Sequence, residues 1–142
     1  MQVQLVAQER NWAMAAHLSA LVAVAGLPFG HVLGPLVVYL VKGHESEFVG
    51  EHARASLNYQ ITISVLAIVA VIVALAATFG FIVPLSNADS ATAGFNLAAL
   101  WIAFGVGSLV VVLASILFII LGTLAASEGR TYNYPFAIRF LR

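Results

Sequence analysis

Two uncharged apolar stretches, Leu57–Val83 and Phe95–Ala126, most constrain what this chain can fold into. Each is longer than the roughly 20 residues that a helix needs to cross a ~30 Å hydrocarbon core. Both are therefore predicted to span a membrane, tilted to fit its thickness. The composition agrees, because only 8% of the residues are charged, against roughly 25% in an ordinary soluble domain.

The N-terminal part carries two shorter apolar stretches, Trp12–Leu27 and Val32–Val41. The glycines and prolines from Gly26 to Pro35 are expected to break the helix between them, because proline lacks a backbone donor and clashes with the preceding turn. A single helix from Asn11 to Val41 would be about 46 Å long, too long for one simple crossing. We therefore predict a hairpin of two short helices, which either span thinly or form a re-entrant pair.

A cleavable signal peptide is the alternative for this segment, because Ala23-Val24-Ala25 fits a small-residue cleavage site. The leading residues place Glu9 beside Arg10 without a basic excess, and the apolar sequence resumes directly at Val32. These features favour the hairpin. The predicted fold is an all-α polytopic transmembrane helix bundle, one membrane domain over residues 1–142, with an interfacial C-terminal segment.

Lysine and arginine in the connections predict the orientation, because cytoplasmic loops retain an excess of these residues. The connection between the two long stretches has neither and holds Asp89, whereas the connection Lys42–Ser56 holds Lys42 and Arg54. We therefore expect a multi-pass protein of the cell membrane with both termini in the cytoplasm and the Asp89 connection outside.

Small residues at helical spacing predict the faces through which helices pack in lipid, because they let backbones approach closely. Three of the apolar stretches carry such a face. Along the chain these are Ala13, Ala16, Ala20 and Ala23, then Ser64, Ala67, Ala70, Ala74 and Ala77, then Gly105, Ser108, Ser115 and Gly122. We expect them to form the bundle core, and the alternative is that serine and glycine line a pore.

The segment His44–His52 contains two histidines and three carboxylates, which raises the question of a metal site. Helical zinc motifs would require a histidine where Phe48 stands. The two histidines also straddle two glycines and share no ligand spacing. The sequence instead predicts a solvated connection leading into a helix start, where acidic side chains suit the helix dipole, and no metal or other cofactor.

Polar side chains are concentrated in the cytoplasmic half of the predicted bundle. His17 lies in the first apolar stretch, and ionisable residues at membrane depth are functional candidates. With it, the candidates for a polar pocket open to the cytoplasm are Glu51, His52, Arg54, Asn58 and Gln60. The alternative is that these side chains bond locally or reach the interface one by one.

The common motifs of enzyme chemistry are absent from the sequence. There is no cysteine, which excludes thiolate nucleophiles and cysteine-ligated metals. There is also no nucleophile elbow, phosphate-binding loop or dinucleotide fingerprint. Six scattered Lys and Arg residues balance six Asp and Glu residues, so nucleic acid is not an expected partner. No residue is predicted to be catalytic.

The C-terminal segment from Tyr132 to Arg142 mixes aromatic and basic residues, a composition typical of the headgroup zone. Pro135 is expected to start a short helix. The residues that define this interfacial tail are Tyr132, Tyr134, Pro135 and Arg139.

An ion pair is a candidate for holding the tail beneath the third helix. Arg139 or Arg142 would provide the cation, and Glu47 or Glu51 the carboxylate. Anchoring to anionic lipid is the alternative, because surface ion pairs contribute only ~0 to 1 kcal/mol.

Four ordered blocks, Asn11–Leu21, Gly34–Leu36, Phe48–Gln60 and Tyr132–Phe140, carry a family resemblance. They resemble the small prokaryotic membrane proteins of unknown function that are grouped with the chloroplast inner-envelope import channel component. The resemblance implies a four-helix membrane domain and, for the plastid relatives, a part in protein translocation. Those relatives carry long additional N-terminal sequence, a departure that weakens the transfer of translocation to this chain.

The expected function is that of a non-enzymatic integral membrane component. It would be a translocation or channel-like subunit, or a scaffold that binds other membrane proteins or further copies of itself within the lipid bilayer. The alternative is a membrane enzyme or small-solute transporter that uses His17, Glu51, His52 and Arg54 at the cytoplasmic mouth.

Overall fold

The computed structural model describes residues 6–26, 29–82 and 90–142. This part of the chain is helical and contains no β-strand, as the sequence predicts. The elements are α1 (Ala7–Leu18), a 3₁₀ helix (Ser19–Ala25), α2 (Gly30–Lys42), α3 (Glu47–Ile82) and α4 (Ser90–Ser127).

Two helices of the described chain are long and apolar enough to cross a membrane. The most apolar windows of the candidate spans Glu47–Gly80 and Ala91–Ser127 have mean hydropathies of 2.7 and 2.9, and only 11% and 22% of these windows are buried. A core helix of a soluble protein would bury most of such a window, so the exposed apolar surfaces are those expected of helices that could span a membrane. The 36 residues of α3 measure about 54 Å, so this helix is longer than a ~30 Å hydrocarbon core.

The N-terminal hairpin forms as predicted, and Gly26 and Phe29 lie at the ends of its two arms. Both residues adopt the left-handed backbone conformation, with φ of 89° and 58°, and Pro28 lies outside the described residues. Pro35 does not break the helix, because α2 continues through this buried residue. Its ring removes one backbone hydrogen bond, a loss that a short helix packed against protein tolerates.

Gly30 and Gly34 let α2 approach the 3₁₀ helix at backbone distance. A Cβ at Gly30 would stand 3.0 Å from the Ala23 nitrogen, and one at Gly34 would clash with the Ser19 carbonyl oxygen. This Gly-x-x-x-Gly spacing is a recognised sign of close helix contact. The sequence prediction treated these glycines only as helix breakers.

The small-residue face of the first predicted helix, which forms α1 and the 3₁₀ helix, is largely buried. Three of its four predicted alanines, Ala13, Ala16 and Ala20, are at most 3% exposed. Ala16 joins a buried apolar cluster with Val38 of α2 and Val49 and Ala53 of α3. The start of α3 therefore packs on the hairpin.

The chain divides into two compact units. The first contains Met1–Ile63 and Ser115–Arg142, and the second contains Ser64–Ala114. All the polar contacts described below lie within the first unit.

The C-terminal tail is ordered but not helical. Pro135 opens a turn in which Phe136 has a φ of 62°, and the chain continues irregularly to Arg142. The predicted short helix is therefore wrong. The physical reason is that side chains of α3 bind the backbone N–H groups of Ile138, Phe140 and Leu141, which holds the segment open.

Candidate functional site

Two histidines meet at the centre of the first unit. His17 Nε2 lies 2.7 Å from His52 Nδ1, with the two rings nearly perpendicular. His17 Nδ1 lies 2.8 Å from the Tyr134 hydroxyl, and His52 Nε2 lies 3.1 Å from the backbone carbonyl of Arg130. This histidine network joins α1, α3, the turn after α4 and the tail.

The backbone carbonyl at one end sets the direction of every hydrogen bond in the histidine network. A carbonyl oxygen can only accept, so His52 Nε2 donates to Arg130 and, in a neutral ring, His52 Nδ1 accepts. His17 Nε2 must then donate to His52, which leaves His17 Nδ1 to accept from the Tyr134 hydroxyl. Both rings are therefore assigned the neutral form with the proton on Nε2.

Burial favours these neutral forms. It lowers the pKa of His17 to about 3, with a further contribution from the nearby His52. Burial also raises the pKa of the Tyr134 hydroxyl. Near neutral pH the His17 ring is therefore uncharged, and the Tyr134 hydroxyl keeps the hydrogen that it donates to His17.

A glycine of α4 makes room for the histidine network. A Cβ at Gly122 would stand 2.9 Å from His17 Nδ1 and 3.1 Å from Cδ1 of Tyr132. The sequence predicts that Gly122 packs against the third helix. In the structure it lies against His17 of α1 and Tyr132 of the tail.

Aromatic stacking fixes the other face of Tyr134. Its ring stacks on Tyr59 of α3 with centroids 4.4 Å apart and an interplanar angle of 18°. The Tyr59 hydroxyl in turn lies 2.9 Å from Ser115 Oγ of α4. Tyr59 was not among the predicted site residues, and nothing in its sequence context distinguishes it from a packed aromatic residue.

Asn58 of α3 holds the end of the tail with both atoms of its side-chain amide. Its Oδ1 accepts from the N–H groups of Phe140 at 3.0 Å and Leu141 at 2.8 Å, and its Nδ2 donates to the Leu141 carbonyl at 3.0 Å. One turn further on, Thr62 Oγ1 accepts from the N–H of Ile138 at 3.0 Å. We call these contacts the tail clamp.

A cleft of about 580 Å³ lies between the first turns of α3 and the tail. Four of the six predicted pocket residues line it, namely Glu51, His52, Arg54 and Asn58, together with Tyr132, Tyr134 and Arg139 of the predicted tail set. His17 and Gln60 are buried but do not line the cleft, and Pro135 is half-buried beside it.

The four predicted packing residues of α4 lie in different surroundings. Gly105 and Ser108 are exposed, and no described atom comes within 4 Å of a Cβ placed at Gly105. Ser115 is half-buried at its hydrogen bond to Tyr59, and Gly122 is buried. Within the described chain, then, this stripe does not form one continuous contact face.

The predicted ion pair of the tail is not formed in the described chain. The ion pairs found there join Lys42 to Glu45 and Arg130 to Glu128. No group of three or more His, Asp or Glu side chains among the described residues could hold a metal ion.

Two long exposed apolar helices that could span a membrane are typical of a helical membrane protein. The model of the magnetosome magnetite crystal formation protein family matches residues 8–141, so the chain belongs to this family and is a membrane-associated magnetosome protein. No curated protein and no solved structure matches the chain significantly. The resemblance is thus right about a small helical membrane protein, whereas no link to the chloroplast import channel component is found.

Proposed function

We propose that the chain takes part in magnetite crystal formation as a non-enzymatic scaffold of the magnetosome membrane. The observation that carries this proposal is that the buried polar side chains form hydrogen bonds with other segments of the same chain. His17, His52 and Asn58 direct their hydrogen bonds to the chain's own segments. They therefore hold the polar unit together and do not present reactive groups to a substrate.

The surface of α4 supports a role in binding other membrane proteins. Gly105 is exposed with open space around it, and the exposed Ser108 lies one turn further along the same face of the helix. In lipid, such surfaces allow a helix of another chain to approach closely. We infer that a second copy or another membrane protein packs here.

The orientation that we propose for the chain in the membrane rests on the distribution of Lys and Arg residues between its connections. We propose that the connection around His44 faces the cytoplasm and that Asp89, which lies outside the described residues, faces the opposite side. The chain has no cysteine, so single cysteines in place of His44 and Asp89 can be labelled with an impermeant maleimide. Labelling of both from the same side of sealed vesicles would contradict this orientation.

A membrane enzyme or transporter is the second candidate, and the cleft is the observation that favours it. Glu51 and Arg54 line the cleft, and neither forms a hydrogen bond or ion pair with the described residues. A carboxylate in such a position could exchange protons with a bound solute.

Complementation in a magnetite-forming bacterium that lacks its own family member separates the two candidates. The strains would carry the natural chain, Gly105→Leu, the matched control Gly105→Ala, or Glu51→Gln. Crystal length is measured by electron microscopy, and the protein complex is sized after affinity capture from the membrane. We expect Gly105→Leu to alter both crystal length and complex size, and Gly105→Ala and Glu51→Gln to alter neither.

Two outcomes would overturn the scaffold proposal. If the natural chain fails to change the crystals of the deletion strain, it has no role in their formation there. If Glu51→Gln abolishes the effect on crystals while the complex stays intact, the enzyme or transporter function is correct.

A further inference from the structure

The cleft has an uncompensated positive charge. Three guanidinium groups line it, those of Arg54, Arg139 and Arg142, against the single carboxylate of Glu51. None of these four side chains forms a hydrogen bond or ion pair with any residue that the structure describes. Arg130, by contrast, is paired with Glu128. Among the side chains that line the cleft, three cations and one anion leave two positive charges to be balanced from outside.

Neutral hydrogen-bonding residues also line the cleft. Thr131, Tyr132 and Asn133 lie on the tail side. Arginine forks and such side chains together suit a phosphate group, because the planar guanidinium donates two parallel hydrogen bonds to its oxygens. The free carboxylate of Glu51 opposes this anion and should weaken its binding.

Exposed apolar side chains of the same unit lie close in sequence to the cleft-lining residues of the tail. Leu124, the last exposed aliphatic residue of α4, is 51% exposed, and the cleft-lining part of the tail begins shortly after it at Thr131. On the tail itself, Phe136 is 90% exposed and Phe140 is 50% exposed. Exposed aromatic rings among arginines are typical of the membrane interface, where lipid phosphates lie.

We propose that the cleft binds the phosphate headgroup of an anionic membrane lipid. The arginines contact the phosphate, and the exposed phenylalanines of the tail lie alongside the acyl chains. This site is independent of the role in crystal formation. A soluble phosphate ion has the same chemistry at the arginines but cannot use the apolar contacts of the tail.

Native mass spectrometry of the full chain in detergent tests this proposal. The purified protein is titrated with phosphatidylglycerol, with phosphatidylcholine and, separately, with inorganic phosphate. The variants are Arg139→Gln, Arg142→Gln, their double variant and Glu51→Gln, with Arg130→Gln as the matched control, because it removes an arginine charge outside the cleft. Arg139 and Arg142 are exposed, so thermal unfolding should show that these variants remain folded.

We expect phosphatidylglycerol to bind more tightly than phosphatidylcholine. Each arginine removed from the cleft should weaken binding about fivefold, Glu51→Gln should strengthen it, and Arg130→Gln should leave it unchanged. Equal affinities for both lipids, or no weakening in the folded double variant, would overturn the proposal. Binding of inorganic phosphate with the same dependence on the arginines, without retention of lipid, would show that the ligand is a soluble anion.

Discussion

His17 and His52 share a 2.7 Å hydrogen bond although 35 positions separate them in the chain. Each ring makes one further hydrogen bond. His17 accepts from the Tyr134 hydroxyl, and His52 donates to the Arg130 carbonyl. The first helix, the third helix and the tail are thus linked through two side chains that carry no charge near neutral pH. The consequences of this link can be measured.

Removing the Tyr134 hydroxyl should destabilise the protein. Tyr134→Phe leaves the buried His17 Nδ1 without a donor, a loss of about 1–3 kcal/mol in the free energy of unfolding. Tyr132→Phe is the matched control, because Tyr132 also packs on His17 but its hydroxyl makes no hydrogen bond with the described residues. Unfolding measured in detergent should give a lower free energy of unfolding for Tyr134→Phe than for Tyr132→Phe. Equal stabilities would mean that the Tyr134 bond contributes nothing.

The tail clamp should control hydrogen exchange at the end of the chain. Asn58→Leu removes the acceptor of the Phe140 and Leu141 amides, so both should exchange faster. The Ile138 amide, bound by Thr62, serves as an internal reference and should change less. Asn58→Asp keeps the acceptor but loses the donor to the Leu141 carbonyl, so its effect should be smaller. Unchanged exchange in Asn58→Leu would show that the clamp does not hold the tail.

Stability should fall as the pH is lowered below about 6.5. The folded protein holds His17 at a pKa of about 3, whereas the unfolded chain binds a proton there near 6.5. The unfolded state therefore binds more protons in this window, which favours unfolding by up to about 1.4 kcal/mol per pH unit. His52, Tyr132 and Tyr134 face the His17 ring. His17→Gln cannot titrate, so its unfolding free energy should depend less on pH than that of the natural chain. Identical pH profiles would contradict the buried neutral state.

The two glycine environments should respond oppositely to alanine. Gly34→Ala places a methyl group against the Ser19 carbonyl and should cost about 1–3 kcal/mol of stability. Gly107→Ala meets open space and should be neutral or stabilising by up to about 1 kcal/mol, because alanine has the higher helix propensity. A neutral Gly34→Ala variant would mean that α2 and the 3₁₀ helix do not approach as closely as described.

Much of the fold could be predicted from the sequence because lipid imposes a simple rule on it. An uncharged apolar stretch longer than the bilayer core must be helical to satisfy its backbone, so α3 and α4 follow from Leu57–Val83 and Phe95–Ala126. The hairpin could also be predicted from a local feature. Gly26 readily adopts the left-handed backbone conformation that ends the first arm of the hairpin.

The histidine network and the tail clamp could not be predicted, because they depend on contacts between distant segments. His17, His52 and Asn58 were recognised as polar residues in an apolar chain, but no local pattern pairs His17 with His52 or Asn58 with Leu141. The helix predicted at Pro135 failed for the same reason. A local preference was overridden by side chains of α3 that bind the tail backbone.

The protonation of His17 and His52 tests the central structural claim most directly. Nitrogen-15 NMR of the protein in lipid nanodiscs, with histidine labelled in the ring and each residue assigned by His17→Gln and His52→Gln, reports which ring nitrogen carries hydrogen. At neutral pH we predict that both rings are neutral, with hydrogen on Nε2 and none on Nδ1. In Tyr134→Phe, the chemical shift of His17 Nδ1 should move to that of a nitrogen without a hydrogen-bond donor. A doubly protonated ring at either position, or hydrogen on Nδ1 of His17, would contradict the network in which Tyr134 donates to His17 and His17 donates to His52.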